Sequence, residues 1–266
     1  MLKMIASDLD GTLLQDGKRD LEPEMWELVH RLTQMGILFV AASGRQIPNL
    51  ERLFAPVRGE IAYIAENGCL SQYKNKILHK DILPRELGQE IMHTIWNKDN
   101  AEILLSGERT CYIQPKSPAY YYHMVNVVKN HVTVVDDIFA VEEEYMKISV
   151  YDERGIAQSE DYWKETFGSK VTVVTSGNVW LDMTPVGANK GSAIKRLQRQ
   201  LGIRPEECMA FGDHYNDVEM LQAVKYSYAM TNAQEGVRQI CRYSAERVEP
   251  VLKKIIEKGE IGRAHV

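Results

Sequence analysis

The segment Met4-Ile-Ala-Ser-Asp-Leu-Asp-Gly-Thr-Leu-Leu14 passes from a short apolar strand directly into two carboxylates. In extended backbone, side chains two residues apart point the same way, so Asp8 and Asp10 are predicted to leave the strand end side by side. Ligands of open α/β sheets bind at that end of the strands. Two carboxylates so close repel each other, and a hard ion such as Mg²⁺ would neutralise them. A surface Asp-x-Asp-Gly turn is the alternative interpretation, and this segment alone favours neither.

Strand and helix signals alternate at both ends of the chain. Apolar strands are predicted at residues 4–6, 37–42, 61–65, 208–211 and 226–230, and helices at 23–34, 48–54, 190–201, 217–224 and 235–241. This alternation predicts an α/β fold, with a parallel sheet that carries helices on both faces.

The middle of the chain follows a different pattern. Helices are predicted at 84–97, 117–131 and 156–167, between strand candidates, and the alternation in Lys147-Ile-Ser-Val-Tyr151 predicts a sheet with one face in water. We therefore expect residues 1–80 and 185–258 to form the α/β core and residues 81–184 to form an inserted α+β domain. Residues 259–266 lack periodicity after an apparently finished helix, which indicates a possible non-native tail.

Composition excludes several classes of protein. Of the 266 residues, 44% are apolar and 26% are charged, and the net charge is −5, from 32 Lys and Arg against 37 Asp and Glu. These values are typical of a globular protein and exclude disorder as the main state. The chain has no broad basic excess for nucleic acid and no apolar run of the ~20 residues that a membrane helix needs. Four isolated cysteines and no signal peptide favour a reducing compartment, so the cytoplasm is expected.

A second acidic cluster, Gly212-Asp-His-Tyr-Asn-Asp217, directly follows another apolar strand. Asp213 is expected at the end of that strand, where it would face the same crevice as the first two carboxylates. Asp217 begins the next predicted helix, so simple capping of the helix is an alternative interpretation for it.

Two further segments offer groups for an anion. Ser43-Gly-Arg45 follows a buried strand, and a hydroxyl with free backbone N–H groups suits an anion, although an N-cap serine is as common. Lys190 lies in the first turn of a helix, where its charge opposes the helix dipole, and an anion shared with Ser43 would explain it. A solvated lysine is the alternative. The P-loop pattern is absent.

Together these segments resemble the haloacid dehalogenase-like (HAD) superfamily, specifically its Cof-type (type IIB) phosphatases. The resemblance lies in the segments Asp8-Leu-Asp-Gly-Thr-Leu-Leu14, Ala42-Ser-Gly-Arg45, Asn189-Lys-Gly-Ser192 and Gly212-Asp-x-x-Asn-Asp217, with Glu66-Asn-Gly68 also fitting. It implies a Rossmann-like core and an inserted cap that selects the substrate.

The resemblance also implies a Mg²⁺-dependent phosphatase of small phosphorylated metabolites, such as sugar phosphates, nucleotides or pyridoxal phosphate. Asp8 would be the nucleophile, Asp10 the acid and then the base. The metal would be held by Asp8, Asp213 and the backbone carbonyl of Asp10. The phosphate would be held by Leu9 through its backbone N–H, and by Ser43, Gly44, Lys190 and Asn216. Supporting roles would fall to Asp217, Thr12 and Arg45.

Two other functions remain open at this stage. A phosphomutase or phosphotransferase would use the same core with a sugar as acceptor instead of water, and a non-catalytic binding protein would keep only the fold. A monomer or a homodimer is expected. Trp180 and Asp182 alternate with Leu181 along a predicted strand, so they share a face and are candidates for substrate contact.

Overall fold

The computed structural model of the chain describes residues 1–128 and 131–263, and the strands of these residues fall into two sheets. The strands are β1 (Met4–Ser7), β2 (Leu38–Ala42), β3 (Ala62–Ala65), β4 (Leu70–Tyr73), β5 (Lys76–Lys80), β6 (Glu102–Ser106), β7 (Cys111–Ile113), β8 (Val132–Val134), β9 (Lys147–Tyr151), β10 (Thr172–Thr175), β11 (Trp180–Thr184), β12 (Cys208–Gly212), β13 (Tyr226–Met230) and β14 (Tyr243–Ala245). The helices are α1 (Pro23–Gln34), α2 (Ile47–Leu53), α3 (Arg85–Trp96), α4 (Pro118–Tyr122), α5 (Glu160–Phe167), α6 (Lys190–Leu201), α7 (Val218–Gln222), α8 (Glu235–Ile240) and α9 (Glu249–Arg263).

The larger sheet has the strand order β14-β13-β12-β1-β2-β3-β4-β5, and it is parallel from β14 to β3. The antiparallel hairpin β4–β5 completes one edge. In the middle of the sheet, Ser7 at the end of β1 is in register with Ala41 of β2 and Phe211 of β12. The loops that follow these three strands therefore emerge at the same edge of the sheet.

Helices cover both faces of the larger sheet because alternate strand residues are apolar on each side. Helices α1 and α9 bury residues such as Val29 and Leu252 against Ile5 and Phe39. Helices α6, α7 and α8 cover the opposite face in a second apolar cluster. This arrangement confirms the predicted α/β core, a Rossmann-like parallel sheet.

The smaller sheet has the order β10-β11-β9-β6-β7-β8 and is antiparallel except between β7 and β8. Helices α3 and α5 pack on one face, in an apolar cluster that contains Trp163 and Phe167. Helix α4 packs on part of the other face through Tyr120. The predicted inserted α+β unit is thus confirmed as a fold class, while its boundaries at 81–184, and those of the core at 1–80 and 185–258, stay predictions.

The prediction of a water-exposed face for the smaller sheet is wrong at β9. All five residues of that strand are buried, including Lys147 and Ser149. The alternation of polar and apolar residues is real, but the polar face lies against the loops at the carboxyl edge of the larger sheet instead of against water.

Two predicted helices that end near the limits of the described residues need correction. The helix predicted over 117–131 begins at Pro118 and passes into a π-helical turn, His123–Val128, and residues 129–130 lie outside the described part. The helix expected to finish before residue 259 continues to Arg263, while residues 264–266 again lie outside that part. The non-native origin of 259–266 stays a prediction. Each helix of the described residues is too short or too polar to cross a membrane.

The start of α6 gives a first testable prediction. Asn189 accepts a hydrogen bond from the Ser192 backbone N–H (2.7 Å), and the Ser192 hydroxyl accepts one from the Asn189 N–H (3.1 Å). We expect Asn189→Ala to lower the free energy of unfolding by about 1 kcal/mol, because the Ser192 backbone N–H loses its side-chain acceptor. Urea unfolding followed by circular dichroism measures it. Asn189→Asp, which keeps the acceptor, should lose much less, and equal losses would contradict this view of the cap.

Candidate active site

A buried lysine joins two carboxylates at the carboxyl edge of the larger sheet. Lys190 Nζ lies 2.5 Å from Asp8 Oδ1 and 2.7 Å from Asp217 Oδ1, and its side chain is completely buried. Asp8 follows β1, whereas Asp217 precedes α7. The ammonium is therefore bound in the interior between two different loops, and the solvated lysine considered from the sequence is excluded.

The charges of this triad shift one another's pKa. Burial disfavours the charge of Lys190, but Asp217 and Asp8 overcome that effect, so the lysine pKa is raised. Burial raises the pKa of Asp8 well above its ordinary value, and Asp217 adds to the increase, while Lys190 opposes it. The Lys190 ammonium is thus the neighbouring charge that favours the ionised form of Asp8.

Asp213, which directly follows β12, is the third carboxylate of the site beside Asp8 and Asp217. Its Oδ1 accepts a hydrogen bond from the Thr12 hydroxyl at 2.9 Å. Burial and then the charge of Asp217 raise the pKa of Asp213. Gly11 is required beside it, since its φ of +87° favours glycine and a Cβ there would lie 2.2 Å from Asp213 Oδ2.

These carboxylates form a candidate metal site. One oxygen each from Asp8, Asp213 and Asp217 lie within 4.8 Å of one another. Asp217 already has partners for both oxygens: Oδ1 accepts from Lys190, and Oδ2 accepts from the backbone N–H groups of Asp213 and His214. Asp8 and Asp213 are therefore the side chains that fit Mg²⁺, a hard ion that prefers carboxylate oxygens. Asp217 instead positions Lys190 and the loop of Asp213 and His214. These contacts come in addition to the helix capping that the sequence allowed for Asp217.

Asp10 has a different environment from Asp8. Strand β1 ends at Ser7, and the following loop is closed by hydrogen bonds between Leu14 N and Leu9 O (2.7 Å) and between Gly11 N and Leu14 O (3.0 Å). The chain therefore turns tightly directly after the strand. Leu9 buries its side chain in the core.

The Asp10 carboxylate is 58% exposed and forms an ion pair with Arg45, with Oδ2 2.8 Å from Nε and Oδ1 2.5 Å from Nη2. Arg45 thus orients the side chain that the sequence identifies as acid and base. Asp10 and Asp8 nevertheless line one cavity.

The loop after β2 holds Ser43 and Gly44. The Ser43 hydroxyl accepts a hydrogen bond from Arg45 N at 3.2 Å, and it does not cap α2, whose N-cap residue is Gln46. The loop is held by a neighbouring turn, in which Asn67 N donates to Ser43 O at 3.0 Å. Asn67 has φ +54°, an uncommon conformation for a residue other than glycine that is often found at functional sites.

Asn67 also connects the other predicted phosphate-binding groups. Its Oδ1 accepts a hydrogen bond from Asn216 at 3.1 Å, and its Nδ2 donates to Asp182 of β11 at 2.6 Å. A Cβ on Gly44 would lie 3.0 Å from Asn67 Oδ1, so this side chain packs directly on the loop. The sequence assigned no role to the segment Glu66-Asn-Gly68. In the structure this segment supports the loop that holds Ser43 and Gly44.

A second buried ion pair joins the two sheets. Lys147 Nζ of β9 lies 2.7 Å from Glu66 Oε2 and 3.6 Å from Asp182 Oδ2, and it donates a hydrogen bond to the Gly44 carbonyl at 2.8 Å. Burial disfavours the charge of Lys147, but Asp182 and Glu66 raise its pKa overall. Ser106 of β6 donates a further hydrogen bond to Glu66 at 3.1 Å. The inserted unit therefore contacts the loop that holds Ser43 and Gly44 through a charged group.

A cavity of about 430 Å³ lies between the two sheets. Its wall includes the predicted residues Asp8, Asp10, Ser43, Gly44, Arg45, Asp213 and Asn216, together with Lys147, Ser149, Trp180 and Asp182. Leu9, Thr12, Lys190 and Asp217 do not line it. Lys190 contacts Asp8 directly, and its part in phosphate binding stays a prediction.

The comparison with known proteins follows from this geometry. A model of the haloacid dehalogenase-like hydrolases matches residues 5–250, which include both sheets and every residue of the cavity wall. The chain belongs to the haloacid dehalogenase-like hydrolase family. The Cof-type resemblance seen in the motifs is confirmed, and the smaller sheet of this hydrolase is its cap.

Several known proteins and solved structures are similar to this chain over most of its length. The 5-amino-6-(5-phospho-D-ribitylamino)uracil phosphatase YbjI of Escherichia coli is 29% identical over 96% of this chain and 97% of its own. The HMP-PP phosphatase of Serratia proteamaculans is 28% identical over 88% of this chain and 85% of its own. A solved structure of a Streptococcus mutans protein has a TM-score of 0.86 at 27% identity and covers 97% of this chain and 100% of its own.

The ion pair between cap and core of this hydrolase gives the second prediction. We expect Lys147→Met to lower the free energy of unfolding by about 3 kcal/mol or more, because Glu66 and Asp182 remain buried without their cation. Chemical denaturation measures it. Lys80→Met removes an exposed ion pair with Glu144 and should cost less than about 1 kcal/mol.

A double-mutant cycle with Glu66→Gln separates the pair from other effects of either substitution. We expect the combined loss to be well below the sum of the two single losses. Strict additivity would show that the two side chains do not stabilise each other.

Proposed function

We propose that this chain is a Mg²⁺-dependent phosphatase that hydrolyses small phosphorylated metabolites through a phospho-aspartyl intermediate on Asp8. Membership of the family makes the chain a hydrolase of phosphate esters. The observation that carries the finer proposal is the position of Asp8, a buried carboxylate that lines the cavity while Lys190 binds one of its oxygens.

The first step is an attack by Asp8 on phosphorus. Lys190 occupies Oδ1, which leaves Oδ2 as the attacking atom. A bond forms between Oδ2 and phosphorus while the ester P–O bond breaks, and the leaving oxygen takes a proton. A carboxylate nucleophile thus divides hydrolysis into two easier steps.

Asp10 is the proposed source of that proton. Its carboxyl group lies at the open side of the same cavity, and its pair with Arg45 is exposed, so opening the pair costs little free energy. After the leaving group departs, ionised Asp10 would take a proton from water, which attacks the acyl phosphate and releases inorganic phosphate. Arg45 then stabilises the ionised state in which Asp10 acts as a base.

The site also offers groups for the charge of the phosphate. Ser43, Gly44 and Asn216 line the cavity beside Asp8, and the Lys190 ammonium lies directly behind it. Fixed positive charge and oriented donors of this kind are the main contribution of a protein to phosphoryl transfer. Mg²⁺ bound by Asp8 and Asp213 would neutralise charge on the phosphoryl oxygens.

The third prediction concerns the nucleophile. Asp8→Asn should lower kcat for phosphate release by about 10³-fold or more, because an amide oxygen neither attacks phosphorus nor forms an acyl phosphate. Phosphate release from acetyl phosphate measures it, and circular dichroism checks the fold. Asp136→Asn, an exposed site in the cap, should keep full activity. Activity retained in Asp8→Asn would contradict the assignment.

The fourth prediction concerns the metal. EDTA should abolish phosphate release and added Mg²⁺ should restore it, because Asp8 and Asp213 need a cation between them. Asp213→Asn should raise the Mg²⁺ concentration needed for half-maximal activity. Activity that persists after EDTA treatment and dialysis would exclude the proposed metal requirement.

A further inference from the structure

The face of the cap sheet that lines the cavity has an ordered pattern of side chains. In β11, Trp180 pairs with Tyr151 of β9, and Asp182 pairs with Ser149. Ser149 pairs in turn with Leu104 of β6. Directly paired residues project to the same side of a sheet, so these side chains form successive rows on one face.

The rows change in character with distance from the core. The row nearest the core contains Lys147, which binds Glu66 and the Gly44 carbonyl at the anion-binding loop. In the next row, which also contains Leu104, Ser149 donates a hydrogen bond to Asp182 at 2.6 Å. Trp180 stands two strand residues beyond Asp182, a step of about 6.7 Å along a β-strand. A ligand that extends from the phosphate site thus meets polar groups first and an aromatic ring afterwards.

Trp180 is held in place by other rings. Its ring centroid lies 4.8 Å from that of Tyr151 and 6.1 Å from that of His123, while the half-buried indole also lines the cavity. Three apolar residues share this part of the wall, Leu104, Val127 and Val128. Such a wall suits an apolar, flat surface.

We propose that the preferred substrate carries a planar heteroaromatic ring, separated from its phosphate by a short hydroxylated spacer, and that the ring stacks on Trp180. This inference rests on the proposed phosphatase function and specifies its leaving group. The spacer would lie along Ser149 and Asp182, and the ring would lie between Trp180 and the valines of the π-helical turn. A ring joined directly to the phosphate-bearing carbon would not reach this position.

The test compares three phosphate esters at the native enzyme. Uridine 5′-monophosphate has a ring and a pentose spacer, ribose 5-phosphate has the pentose alone, and pyridoxal 5′-phosphate has a ring without the spacer. We expect kcat/KM for uridine 5′-monophosphate to exceed that for ribose 5-phosphate by about tenfold, as for stacking of one base on an aromatic side chain. It should also exceed that for pyridoxal 5′-phosphate.

Variants at Trp180 test whether this residue causes the preference for a substrate with a ring. Trp180→Ala should remove the preference for uridine 5′-monophosphate over ribose 5-phosphate, mainly through KM, while Trp180→Phe should restore much of it. Trp96→Ala provides a matched control, because Trp96 belongs to α3 on the opposite face of the cap sheet. It should keep the preference.

The outcomes distinguish this inference from the proposed function. If the native enzyme releases no phosphate even from acetyl phosphate, the proposed function fails. If it hydrolyses acetyl phosphate and ribose 5-phosphate but shows no preference for the ring and spacer, the function stands and this inference is overturned. A preference that survives in Trp180→Ala would likewise overturn it.

Discussion

The interaction on which the site depends is the contact of one buried ammonium with two carboxylates. Lys190 is completely buried and lies within 2.7 Å of both Asp8 and Asp217. Removing any one of these charges leaves the others buried without compensation, so the three residues are stable only as a set. Asp8 is thus fixed by a helix from the second half of the core, although it follows a strand from the first half.

The second constraint is the polar interface between core and cap. Lys147 reaches across it to Glu66 and to the carbonyl of Gly44, and Asp182 reaches Asn67, which in turn binds Asn216. These contacts attach the cap to the groups proposed to bind phosphate. They account for a cavity with charged residues at its base and with apolar and aromatic residues farther out.

Much of this arrangement could be predicted from the sequence, for physical reasons. Strands buried on both faces leave continuous apolar runs, and polar residues directly after such runs, such as Asp8 and Asp213, must gather at one edge of the sheet. The ends of α6 were also clear, because Lys190 begins it and Gly202 ends it in a left-handed conformation. The hairpin β4–β5 was not predicted, since its partly exposed strands lack an apolar run.

The role of Lys147 was missed for a different reason: Glu66 and the Gly44 carbonyl, to which it binds, lie on the larger sheet, and alternation along a strand does not reveal what covers the polar face. The central claim remains that Asp8 itself accepts the phosphoryl group. Peptide mass mapping of the enzyme, quenched with acid during turnover of acetyl phosphate and Mg²⁺, tests it most directly. The account predicts one added phosphoryl group, on the peptide that contains Asp8 and absent after hydroxylamine treatment, which cleaves acyl phosphates. A phosphoryl group on any other residue would contradict it.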